Sequence, residues 1–124
     1  MKNYTHDDFR FALSAKFPGL RDRISEDENL GVYDNCTLLA NLINEALMTG
    51  NSIEIKSAME LAVEFYGSGN TQLASGFECD FFEVLDLRNP RGKKLFKSFT
   101  TKFKEAYLHA QSYINTPYDP DAEY

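Results

Sequence analysis

NCTLLANLINEALM, residues 35–48, places Leu38, Leu39, Leu42, Ile43, Ala46 and Leu47 at the i, i+1, i+4, i+5, i+8, i+9 spacing of a helix with one broad apolar face. Asp34 or Asn35 is a candidate cap, and Gly50 supplies a stop, which predicts a helix over 34–49. Asn51, with Glu54 three residues on, then opens a second helix over 52–66, IEIKSAMELAVEFY. Gly67-Ser68-Gly69 breaks it, and Asn70 or Thr71 caps a third helix over 71–87. The turns Gly50-Asn51-Ser52 and Gly69-Asn70-Thr71 are alike and 19 residues apart. Turns this short make neighbouring helices antiparallel.

Outward from that centre the pattern stays helical. Thr5 and Asp8 have capping-box spacing ahead of Phe9, Leu13 and Phe17, so a helix is expected from about Asp7 to Phe17, closed by Pro18-Gly19. LRDRISEDENLGVY reads as a loop with one helical turn. After the turn Asn89-Pro90-Arg91-Gly92, a last helix is expected over 92–113, with Leu95, Phe99, Phe103, Ala106, Ala110 and Tyr113 on one stripe. No strand-like alternation occurs. The fold class is therefore all-α: about five helices in antiparallel hairpins, as an irregular bundle or a short HEAT-like stack. Residues 1–115 form one domain, and residues 116–124, with two prolines and three acids, a loose acidic tail.

A chain of 124 residues, 43% hydrophobic and 14% aromatic, is long and apolar enough to bury a core without disulfides or metals. MKNYTHDDFR holds no apolar run of a secretory signal, and no apolar cluster approaches a membrane span. Cys36 and Cys79, with no CxxC and no histidine at ligand spacing, read as reduced thiols in a cytoplasmic protein. The net charge of −6 is unevenly spread. Residues 1–87 hold 15 acids and 6 bases, residues 88–104 seven bases and no acid, and residues 105–124 four acids and no base. An acidic body disfavours nucleic acid and suits a basic protein partner. The basic run from Arg88 to Lys104 is expected to pair with the protein's own acidic face or with anionic groups of a partner.

GFECDFFEVLDL, residues 76–87, is the stretch most suggestive of contact. At about 100° per residue, Leu73, Ala74, Phe77, Phe81, Val84 and Leu85 make a core stripe, and Glu78, Asp80, Glu83 and Asp86 the opposite face. Phe82 falls between Glu78 and Asp86, at the edge of the core or outside it. An exposed aromatic ringed by carboxylates has the composition of a binding hot spot for a cationic partner. Packing of Phe82 beneath another helix remains the alternative, because a central helix touches more than one neighbour. Glu60 and Glu64, one turn apart on the preceding helix, extend the candidate surface to Glu60, Glu64, Glu78, Phe82, Glu83 and Asp86.

Catalytic signatures are missing. His6 and His109 are the only histidines, and no GxGxxG, P-loop, GxSxG or HExxH occurs. Glu105 and His109 share a helix face, but a single ExxxH is a weak metal signal. No catalytic residue, cofactor or metal is assigned.

The opening FRFALSAKFPGL, the acidic linker, and helices ending in SGNTQLASGFECDFFEVLDL resemble small cytoplasmic immunity proteins of bacterial contact-dependent and other polymorphic toxin systems. The shared feature is a long helix, a Gly-Asn turn, and a helix ending in Phe-hydrophobic-Glu-x-Leu, here residues 52–87. The resemblance implies a non-catalytic protein that neutralises a cognate and often basic toxin domain; separately, a monomer or weak homodimer is expected. It carries over no binding residues. A helical adaptor for another host protein and a phage-encoded acidic inhibitor are the alternatives.

Overall fold

The computed structural model describes residues 4–124, in seven α-helical segments: α1 (His6–Lys16), α2 (Gly31–Thr49), α3 (Ser52–Tyr66), α4 (Thr71–Gly76), α5 (Phe82–Val84), α6 (Pro90–Ser98) and α7 (Thr101–Gln111). Helix accounts for 70% of the structure and, among the described residues, no strand occurs, so the fold is all-α. The expected count of about five is too low, because two of the expected helices are broken.

The local chemistry of most helix starts is the expected one. Thr5 and Asp8 form a complete capping box on α1. Asn51 accepts from the Glu54 amide at 3.1 Å, and Asn70 from the Leu73 amide at 3.0 Å. Gly50, at φ 75°, is the left-handed residue that closes α2. The start of α2 differs. It begins at Gly31, because the Asp27 carboxylate takes the Asn29 and Leu30 amides at 2.8 and 2.7 Å and finishes the N-terminus upstream. Asn35, expected as a cap, lies buried inside the helix, bonded to Ser25 and His6.

The expected helix 71–87 is α4, a single π-helical turn over Phe77–Phe81, and α5, ending at Val84. Side chains replace the helical hydrogen bonds beyond that point. Asn44 takes the Asp86 amide at 2.8 Å and donates to the Val84 carbonyl at 3.0 Å. The Tyr107 hydroxyl donates to the Leu85 carbonyl at 2.8 Å and accepts from the Leu87 amide at 3.2 Å. Satisfied this way, residues 85–88 run without helix. The expected helix 92–113 is likewise two, since Phe99 is extended (ψ 148°) and Thr100 caps α7 through the Phe103 amide.

Within the core, α2 is the central element, packing on α1, α3, α4, the π turn and α5. The core is strongly aromatic. An unbroken file of rings runs Tyr4, Phe65, Phe9, Phe77, Phe81, Phe82, Phe103, Phe99, Phe96, Tyr118, Tyr124, with successive centroids 4.6–5.9 Å apart. Such edge-to-face and tilted pairs add to the gain from burial itself. The file includes the C-terminal segment, so residues 116–124 are not the loose tail expected. Tyr118 is buried, its amide donates to Gln111 at 3.1 Å, and Lys93 holds the Ala122 carbonyl at 2.6 Å.

Candidate functional site

The six residues singled out as a partner surface do not form one face. Phe82 is fully buried, meeting Tyr66, Phe81 and Phe103 edge to face at 5.1–5.2 Å, so its expected place at the core edge or outside is corrected. A uniform wheel fails here for a physical reason. The π turn holds one residue more than an α turn, and every side chain after it is rotated relative to a 100° register. Asp86 is half-buried and ion-paired to Arg88 at 2.8 Å; that hydrogen bond holds its carboxyl below the usual range. Glu83 is half-buried. Glu78 is exposed and accepts the Tyr66 hydroxyl at 3.1 Å. Burial, with Glu78 close by, pushes the Tyr66 phenol up to about 12.

Glu60 and Glu64 remain. Both are exposed on α3, Glu60 reaching Lys16 at 3.5 Å and Glu64 accepting the Tyr4 hydroxyl. They stand on the rim of an open groove of about 850 Å³ between α3 and the α6–α7 corner. Two adjacent rows of α3 side chains build one wall. Ile55, Met59 and Val63 recur every four residues and form the apolar floor; Lys56, Glu60 and Glu64 follow one position later and form the rim. Leu95, Phe99 and Phe103 supply the rest of the floor, and Arg91 and Lys94 of α6 the opposite rim. The core-facing residues of α3 are Ala58, Leu61, Ala62 and Phe65, so this helix carries two apolar stripes. That doubling was present in IEIKSAMELAVEFY, where Ile55 and Met59 flank the buried stripe and Val63 lies beyond it.

The basic segment meets the rest of the protein in three ways. Among the described residues only Arg88 of that run forms an ion pair, with Asp86. Arg91 donates to the Leu47 and Met48 carbonyls at the end of α2, at 2.9 and 3.2 Å. Lys102 and Lys104 lie over the Tyr66 and Phe96 rings at 5.4 and 5.7 Å.

Elsewhere the reactive groups are scattered. Among the described residues no group of three His, Cys, Asp or Glu side chains is placed to hold a metal ion. His6 Nε2 lies 2.9 Å from Asn35 Nδ2, and His109 packs edge-on to Tyr113. Burial first, then Asp80, Glu83 and Glu78, raise the Cys79 thiol, while Cys36 is raised by burial and by Asp80. Both shifts disfavour thiolate. No helix among the described residues is long and apolar enough to cross a membrane.

A family profile described as a domain of unknown function, DUF7674, matches residues 12–115, and the chain belongs to that family. No curated protein and no solved structure matches the chain.

Proposed function

We propose that this is a non-catalytic, cytoplasmic binding protein that captures a protein partner in the groove between α3 and the α6–α7 corner. One observation carries the reading: an apolar floor lies open along a helix whose other face already serves the core. The groove combines an apolar floor with charged rims, the composition of an interaction site. Glu60 and Glu64 supply the acidic rim expected to select basic groups. Within the helical class we read an irregular bundle rather than a HEAT-like stack. The central α2 touches α1, α3, α4 and α5 together, whereas a repeat touches only its neighbours.

The particular form we favour is an immunity protein that neutralises a cognate toxin domain, of the kind the segment 52–87 resembles. An immunity gene lies directly downstream of its toxin gene, so the test is co-expression with the product of a large toxin gene found immediately upstream. Protection of the cells, lost in a Val63→Asp, Glu60→Lys, Glu64→Lys variant that remains helical, is the expected result. Toxicity unrelieved by the wild-type chain would reject the immunity reading.

A further inference from the structure

We infer that the groove takes an amphipathic helix of the partner, basic along one flank and acidic along the other. This inference rests on the groove being the binding surface and specifies the shape and charge of what fills it. Length is the first argument. The floor row Ile55, Met59, Val63 belongs to an α3 face that lines the groove from Ser52 to Glu64, about 18 Å at 1.5 Å per residue. A partner helix of about 14 residues matches that span, with its own apolar residues at i, i+3, i+4 and i+7 meeting the floor. Neighbouring helices pack side by side in this way, ridges against grooves.

Charge is the second argument, and it sets the flanks. The α3 rim is acidic at Glu60 and Glu64 and basic only at its N-terminal end, at Lys56. The α6 rim offers Arg91 and Lys94, with no carboxylate among the groove-lining residues of α6. Lys94 makes no ion pair among the described residues, and its ammonium is available to a partner carboxylate. Two rims of opposite sign disfavour a uniformly basic or uniformly acidic occupant, since either would meet like charge along one side, even with Lys16 reaching Glu60 at 3.5 Å. They also orient the occupant, because reversing the helix exchanges its flanks.

The test uses three fluorescein-labelled 14-residue peptides sharing one leucine face and differing in their flanks: Arg on one side and Glu on the other, Arg on both, and Glu on both. Anisotropy titration against the full chain should show saturable binding that is tightest for the mixed peptide. Val63→Asp, a change at a half-exposed side chain, should weaken it by about tenfold or more, the scale of one disrupted apolar or charge contact. Glu60→Lys with Glu64→Lys makes both rims basic and should move the preference to the Glu-flanked peptide. Equal affinity for all three peptides, or a preference unmoved by the charge change, would overturn the inference. So would tighter occupation by a fatty acid such as dodecanoate, or a homodimer that Val63→Asp dissociates. If no peptide binds while Val63→Asp still breaks the complex with the full partner, the helical occupant is refuted and the groove stands. If Val63→Asp leaves that complex intact, the groove itself is refuted.

Discussion

Tyr66 lies edge-on against Phe82, ring centroids 5.2 Å apart and planes at 80°, and so closes the core over a side chain that sequence periodicity had put at the boundary. Phe81 and Phe82 are both fully buried, although adjacent in sequence. Phe82→Ala should therefore destabilise the protein by about 3–5 kcal/mol, as much as Phe81→Ala. Urea unfolding followed by circular dichroism reads both. A clearly smaller loss at Phe82 would mean that its ring reaches solvent.

The Tyr107 hydroxyl holds two backbone groups of the non-helical stretch after α5. Tyr107→Phe keeps the ring, leaves the Leu87 amide without its partner, and leaves the Leu85 carbonyl only Gln111 Nε2 at 3.5 Å. The expected cost is about 1–3 kcal/mol, with faster amide exchange at Leu87. Unchanged exchange there would remove the hydroxyl from the account of why the helix stops.

Acid should act through His6. Its side chain is 8% exposed and Nε2 accepts from Asn35, an arrangement that needs the neutral ring; burial first, then Arg10, lower its pKa from the ordinary 6.5. A group lowered in the folded state binds fewer protons there than in the unfolded chain. Its contribution is complete above about 6.5 and is lost as pH falls from that value towards the folded pKa. Melting temperature should drop as pH falls below 6.5 in the wild type and less steeply in His6→Gln. Parallel pH profiles would place the acid sensitivity elsewhere.

The two cysteines should behave as opposites. Cys36 is fully buried and Cys79 exposed. In native protein at neutral pH, iodoacetamide should add once, slowly, at Cys79, and mass spectrometry counts the adducts. Cys79→Ser should leave stability and partner binding unchanged. Cys36→Ser buries a hydroxyl in apolar surroundings and should cost about 1–3 kcal/mol.

The helical class was legible because three of the interhelix turns carry their own chemistry. Gly50-Asn51, Gly69-Asn70 and Asn89-Pro90 each state a stop or a cap within two or three residues. The break at Thr100 was equally local, a threonine three residues before Phe103, but an apolar stripe continues across it and masked the cap. The end of α5 was not legible. It depends on Asn44 and Tyr107, more than 20 residues away in either direction, which supply hydrogen bonds that local pattern cannot reveal. The same holds for the site. Glu60 and Glu64 stand on the groove because they are one turn apart on one face. Phe82 was misplaced because a π turn changes the register without changing composition.

In mechanical terms the file of rings is a set of couplings in series, and it is narrow at Phe82. On one side stand the rings of α1, α3 and the π turn; on the other stand those of α6, α7 and the C-terminal segment. Tyr66, touching Phe77, Phe82 and Phe103, is the parallel link. Both sides belong to one hydrophobic core, and the groove has one wall on each side of that waist. Whatever fills it adds a third strut between them, so occupancy should stiffen the entire domain, down to the stacked tyrosines at the far end, rather than the walls alone.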